Sequence, residues 1–396
     1  MSLHQGNLYW PTTTNLPNYE TLKADQECDI TIVGGGMSGM LCAYELSKCG
    51  YKVILIEQNT IASGSSSANT GLLQVSSDIM LSKLAKQIGE RDAYLFYKMS
   101  FEAMESFREL PKTIIKASDY FTRDSIFFAS EKNDLTDLKS EYDMLKKYDF
   151  PVQLLDRATL KTKYNIIAPG AIVTSKDAEV NPMKLIISIA NNLSRDQVYI
   201  YENTKMVDVK YTDTKILVKT KEATVTSKYL IYTTGYEKSI ANRIEKSQLN
   251  YTYAIATNVL ENLPWDDKSM IWETATPYLY ARMTSDNRIV AGGLDETEEI
   301  EMDDAQILVK GEEILDQLKS IIPSLDAKVE YSWKAVFGES ADELPFIGKD
   351  PLNKNAYYCL GFGGNGTVYS MAGAKIITDL IREKSNPYAH IVKIDR

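Results

Sequence analysis

Histidine is nearly missing from this chain: of 396 residues only His4 and His390 are histidine, one near each end. That scarcity argues against a histidine-built metal site and against a histidine-based catalytic triad, and no metal is expected. Cysteine is also sparse, with four scattered residues. Cys42 and Cys49 sit on one expected helix, about 10 Å apart by helical rise and too far for a disulfide. Cys28 and Cys359 show no paired spacing, so the expected compartment is reducing and cytoplasmic. No stretch approaches the ~18 apolar residues of a membrane span. The opening MSLHQGNLYWPTTTNLPNYE has neither the basic start nor the apolar core of a signal peptide. Positive charge is in deficit: 44 Lys and Arg against 54 Asp and Glu leave a net charge of −10. Such a balance argues against nucleic-acid or anionic-membrane partners. No repeat or low-complexity tract is present.

What remains is ordinary globular composition, 44% hydrophobic and 25% charged, in a length that suggests about two domains. The most informative stretch is DITIVGGGMSGMLCAYELSKCGYKVILIE, residues 29–57. Two continuous apolar runs, Ile30–Val33 and Val53–Ile56, suit parallel strands covered on both faces. Between them Met37, Met40, Leu41 and Tyr44 recur at helical spacing, and Gly50 stands where a helix C-terminus favours a left-handed residue. The glycines Gly34, Gly36 and Gly39 fill the dinucleotide fingerprint: a tight exit from the strand, bare backbone for a pyrophosphate, and close helix-on-sheet packing. With Met37 and Ser38 they open a helix whose N–H groups face phosphate. Glu57, followed by Gln58, stands where a carboxylate accepts hydrogen bonds from a ribose.

Further along, residues 79–110 read as helical with a break near Gly89 and Arg91, Tyr120–Ser130 as a strand and Leu135–Lys147 as an amphipathic helix. Asn181-Pro182 is a helix start. Short strands near Val198–Tyr201, Met206–Tyr211, Lys215–Lys219 and Thr224–Thr226 lead to the buried strand Tyr229–Thr233, which ends in Thr234-Gly235. Tyr251–Val259, Tyr278–Met283 and Arg288–Ala291 read as antiparallel strands, and Asp303–Ile322 as a helix. A second glycine loop, Gly361–Gly366, opens a helix from about Val368 to Arg382. This order predicts an α/β chain in which a Rossmann-like domain (1–80, 150–240 and 330–396) is interleaved with a smaller α+β substrate-binding domain (81–149 and 241–329) carrying a mostly antiparallel sheet.

Four motifs in order make the chain resemble the D-amino-acid oxidase/glycine oxidase superfamily of FAD-dependent amine oxidoreductases. They are DITIVGGGMSGM, the loop ASGSSSANTGLL, the strand end YLIYTTGYE, and the pair FGESADELPFIG with YYCLGFGGNGT. The arm before residue 29 and DAEVNPMKLIISIA further resemble the gamma-glutamylputrescine oxidoreductase branch. The resemblance implies a glutathione-reductase-like FAD domain of two or three layers and non-covalent FAD. It implies that Ser63, Ser65, Ser66, Asn69 and Thr70 pass the pyrophosphate and isoalloxazine, with Gly71 and Leu72 under the ring. Val207 is implied at the adenine, and Thr234 and Gly235 at the strand end. Gly361, Phe362, Gly363, Gly364, Asn365, Gly366 and Thr367 are implied at the flavin's pyrimidine edge, where helix-opening N–H groups stabilise negative charge. Covalent histidyl attachment is excluded, since neither histidine falls in a flavin motif. Cys359 lies inside an expected buried strand, where an inert thiol is the default.

The resemblance implies oxidation of a C–N bond in a small-molecule amine or amino acid, with oxygen or another carrier as electron acceptor. Tyr278, Tyr280 and Arg282 alternate on one strand, and Tyr251 and Tyr253 on another. These faces are expected either to line the substrate pocket, Arg282 gripping a carboxylate, or to be half-buried sheet surface, with Arg282 in a surface salt bridge. Relatives acting on α-amino acids often carry an arginine before the last flavin strand. Here that place is Phe337, which points away from a simple D-amino acid. The strand RIVAGG lacks the lysine that activates oxygen in sarcosine-oxidase-like relatives. Two other classes stay open: an NAD(P)-dependent dehydrogenase built on the first motif, and a non-catalytic flavin-binding structural or regulatory protein. The acidic run Asp295–Asp304 lacks the alternation and central glycine of a calcium loop and reads as a solvated turn.

Overall fold

The computed structural model describes residues 3–236, 247–265, 267–360 and 363–396. Ile30–Val33 and Val53–Ile56 are fully buried neighbours at the centre of a six-stranded sheet. Its order is Phe346–Lys349, Ala356–Leu360, Tyr229–Tyr232, Ile30–Val33, Val53–Ile56, Val198–Tyr201. All pairings are parallel except that of the edge strand Phe346–Lys349. The runs are apolar on both sides because both sides are covered. Ile30, Ile32, Val53 and Leu55 join a core with the helices, while Val33, Ile54 and Ile56 join a second core with Ile216, Val218 and Val225. Helices Met37–Ser47, Glu90–Arg108, Pro182–Asn192 and Gly366–Ile381 form the first cover. A four-stranded sheet (Asp208–Tyr211, Ile216–Lys219, Thr224–Ser227 and Gln26–Glu27) forms the second.

The remaining strands build a ten-stranded sheet, antiparallel except where Met270–Glu273 lies parallel to Phe121–Phe128. Helix Asp304–Ile321 packs Ile314, Leu315 and Leu318 against Ile255 and Ala291 on one face. The other face, carrying Ala254, Trp272 and Ala335, joins the large core.

The sheets divide the chain differently from the expected boundaries. His4–Gly6, Leu72–Leu73, Val152–Asp156, Gly170–Glu179 and Val329–Ser340 all belong to the ten-stranded sheet. Helix Glu90–Arg108 instead packs on the C-terminal helix, placing Phe96, Met104 and Phe107 in the same core as Met40 and Ile32. Local periodicity reports an element's type and not its partner, so strand exchange between sheets leaves no mark on it. The break near Gly89 is real: Gly89, at φ +87°, separates helices Leu81–Ile88 and Glu90–Arg108.

Candidate active site

Gly34 leaves its strand at φ +112°, and a Cβ there would lie 2.4 Å from the Thr233 carbonyl oxygen. A Cβ at Gly39 would come within 1.9 Å of the Gly34 carbonyl oxygen, so the helix rests directly on the turn. Gly36 meets only Ser66 Oγ, at 3.2 Å from its hypothetical Cβ, and faces a cleft of about 210 Å³. The N-cap residue Gly36 brings no capping side chain to this helix, and Met37 N–H donates to Ser66 Oγ at 3.2 Å. Glu57 is fixed by the N–H groups of Gly35 (2.7 Å) and Asn59 (2.8 Å). Burial raises the pKa of its carboxyl, opposed by those N–H groups.

The cleft is lined by Gly34, Gly36, Met37, Ser38, Glu57, Gln58, Ser63, Ser65, Ser66, Asn69, Thr234, Gly235, Gly366 and Thr367. Residues from five separate segments thus meet in one groove, together with Thr204, Lys205 and Met206. Ser65 Oγ and Thr234 Oγ1 are buried there without a protein partner. An open glycine cradle at a helix N-terminus, an anchored carboxylate and two hydroxyls without protein partners suit a dinucleotide. Strand His4–Gly6 borders the same groove: Leu3 lines it, and His4 Nε2 is 3.1 Å from the Ser63 carbonyl oxygen.

A second cavity of about 140 Å³ adjoins the first at Ser65, Asn69 and Gly366. Thr70, Leu72, Gly363, Gly364, Asn365, Tyr278, Tyr280 and Phe337 line it. So do Asp78, Asp295, Trp272 and Thr252, which sequence reasoning missed. Asp78 fastens the second glycine loop, accepting from Gly364 N–H at 2.9 Å and from Tyr278 O–H at 3.0 Å. Burial raises its pKa, and these two donors oppose the rise. Asp295 is pushed up to about 6 by burial and by the Asp78 charge, against a hydrogen bond from Thr252. Glu339, bonded by Asn250 Nδ2 at 2.6 Å, is pushed to about 7 by burial and then by Asp78, Asp295 and Glu343. No short-range pattern signals this convergence, because the acids come from three distant segments, around residues 78, 295 and 339–343.

Several expected site residues lie elsewhere. Tyr253 points into the opposite core and donates to Glu296 at 2.6 Å, while Tyr251 packs under the Lys334 ammonium at 4.6 Å. The strand's alternate residues, Thr252 and Ala254, face the cavity instead. Arg282 is neither a carboxylate clamp nor a surface ion-pair partner. It is 2% exposed, donating to the carbonyl oxygens of Thr70 (2.7 Å), Val180 (2.8 Å) and Met283 (3.2 Å). It lies over the Trp10 ring at 5.0 Å and 3.8 Å from Glu179. Its role is to hold the end of the serine-rich loop, where a Cβ at Gly71 would strike its Nη2 at 2.6 Å. Gly39 and Gly71 are packing glycines rather than cleft lining. Val207 is 61% exposed and outside the cleft wall, which ends at Met206. Asp295 ends a strand, Ile289–Glu296, rather than opening a solvated turn. Gly361 and Phe362 lie outside the described residues.

A family model described as FAD dependent oxidoreductase, DAO, matches residues 29–380. Gamma-glutamylputrescine oxidoreductase of Escherichia coli (strain K12) is 26% identical over 410 residues, covering 99% of this chain and 93% of that protein. The crystal structure of glycine oxidase from Geobacillus kaustophilus superposes with a TM-score of 0.80 at 19% identity, covering 94% of this chain and 99% of that one. That of L-proline dehydrogenase from P. horikoshii gives 0.78 at 17% identity, covering 92% and 96%. These structures share the fold.

Proposed function

This chain belongs to the DAO family of FAD-dependent oxidoreductases, and we propose that its two adjoining cavities hold FAD and an amine end to end. The enzyme is an FAD-dependent amine or amino-acid oxidoreductase acting on a C–N bond. In this reading the turn Gly34–Gly39 would hold the pyrophosphate, Glu57 a ribose, and Lys205 and Met206 would border the adenine. Thr70, Leu72 and Gly363–Thr367 would hold the isoalloxazine. FAD held there would supply the acceptor for a hydride from the carbon bearing nitrogen; with loss of a proton from that nitrogen the substrate becomes an imine, which water converts to a carbonyl compound and an amine or ammonia.

The protein's own contribution is placement. Asp78 ties the second glycine loop to Tyr278, fixing one wall of the substrate cavity against the other. Arg282 holds the Thr70 carbonyl from behind, so the loop's inner edge keeps a fixed distance from that cavity. Removal from water in this cavity favours the neutral, reactive form of the nitrogen whose C–N bond is oxidised. The acceptor that reoxidises FAD is oxygen or another carrier. The four unpaired cysteines support a reducing, cytoplasmic setting.

The observation that carries this reading is the meeting of the two cavities at Ser65, Asn69 and Gly366, between the two glycine-rich helix openings. The test is the visible spectrum of the purified protein, followed anaerobically against amines with and without an α-carboxylate. Flavin bands that bleach with an amine are expected. A colourless protein that takes up no FAD, or bands that no amine bleaches, would sink it.

A further inference from the structure

Asp78 and Asp295 are the only charged side chains among the described residues lining the second cavity. They are not equivalent. Both Asp78 oxygens already accept, one from Gly364 N–H and one from Tyr278 O–H. Asp295 Oδ1 is buried with no hydrogen-bond partner, and so is Gln74 Nε2 in the same lining. Three aromatic rings border them. Trp272 and Tyr278 meet edge-on at 6.1 Å, and Tyr278 and Tyr280 lie tilted at 5.8 Å. A carboxylate with a free buried oxygen beside aromatic rings is a recognition element for an ammonium group.

Resting on the reading of this cavity as an amine pocket, we propose that the substrate is a diamine-type molecule. A second ammonium, beyond the C–N bond that is oxidised, binds Asp295 and the adjoining aromatic rings. An amino acid offers the wrong charge for this wall: its carboxylate would lose water beside two acids, a placement that costs free energy unless a cation compensates. A distal ammonium does the reverse. It supplies the missing partner of Asp295 Oδ1 and offsets the repulsion between Asp295 and Asp78. The reacting nitrogen, nearer the second glycine loop, is then the one that gives up its proton.

The test uses the FAD-loaded enzyme under anaerobic conditions at pH 8, titrated with 1,4-diaminobutane, butylamine and 2,5-diaminopentanoic acid. The readout is the concentration giving half of the flavin spectral change. Expected is half-saturation by the diamine at a concentration about 10-fold or more below that for butylamine. Diaminopentanoic acid should trail the diamine. Asp295→Asn, close to isosteric, should bring the diamine-to-butylamine ratio towards one. Equal half-saturation by diamine and butylamine in the parent enzyme would overturn the proposal, with no variant needed. So would preference for the amino acid, or a ratio that Asp295→Asn leaves intact. A flavin spectrum that no amine changes would instead remove the amine reading itself, an outcome distinct from these.

Discussion

Arg282 is where a single residue changes the account most. Its place on a strand with Tyr278 and Tyr280 makes it look like a substrate clamp, and it does share their side of the sheet. The guanidinium nonetheless faces the carbonyl oxygens of Thr70, Val180 and Met283, with Trp10 over its plane. Burial lowers its pKa, but guanidinium stays charged at any ordinary pH, so the site depends on those acceptors and on Glu179. Arg282→Met should therefore destabilise the protein by about 3 kcal/mol, because buried carbonyls and Glu179 lose their donor. Flavin retention should fall with it. Denaturant midpoints and the flavin-to-protein absorbance ratio check this. Unchanged values, with KM raised only for carboxylate-bearing substrates, would restore the clamp. The glycines show the opposite case of full legibility. Gly34 and Gly39 sit where any Cβ would meet backbone oxygen at 2.4 and 1.9 Å, and the spacing alone announces that approach.

At the scale of elements, starts and stops were readable because caps act within one turn. Asn181 accepts from Lys184 N–H at 3.1 Å ahead of Pro182, and Asp303 forms a capping box with Gln306 ahead of Asp304–Ile321. Asn181 also donates to Thr13 Oγ1 at 2.8 Å, pinning the N-terminal arm to that helix. Asn181→Ala should cost about 1–2 kcal/mol, the upper end of a lost cap, whereas Asn181→Asp should keep the cap and lose only the arm contact. Equal destabilisation by the two variants in urea melts would show that the cap contributes nothing. Strand faces were less readable. Tyr251 and Tyr253 alternate as a pocket wall would, yet the sheet turns that face towards Glu296 and Lys334. Period two gives two faces and no rule for which one meets the cavity. Pairing with Val329–Ser340 and Ile289–Glu296 decides it.

For the whole molecule the most consequential property is the acid group around the second cavity. Asp78, Asp295, Glu339 and Glu343 are all raised by burial first, and the last three also by the Asp78 charge. A carboxyl with a folded pKa above its unfolded value, which is about 4, keeps protons that the unfolded chain has released. Stability from this source therefore falls as pH rises from about 4 through about 7, the value Glu339 reaches, and is level above it. Glu339→Gln should melt higher than the parent protein at pH 8, with the gap closing towards pH 4. A gap independent of pH, or one that widens in acid, would contradict the assignment. In the same window the parent's affinity for a cationic amine should rise as Asp295 ionises at about 6.

The sequence by itself determined the turn chemistry, the caps, the doubly covered parallel strands and the glycine turn that opens the first helix. Each is a matter of backbone conformation or spacing within some thirty residues. Tertiary structure decided the rest. Asp78 meets Tyr278 and Gly364 across 200 and 286 positions of chain, and Arg282 meets Thr70 across 212. Whether an acid faces a cavity or an arginine holds a loop depends on which strands pair, and burial and Coulomb interaction act through space. Local pattern carries the elements, and only their packing carries the pocket.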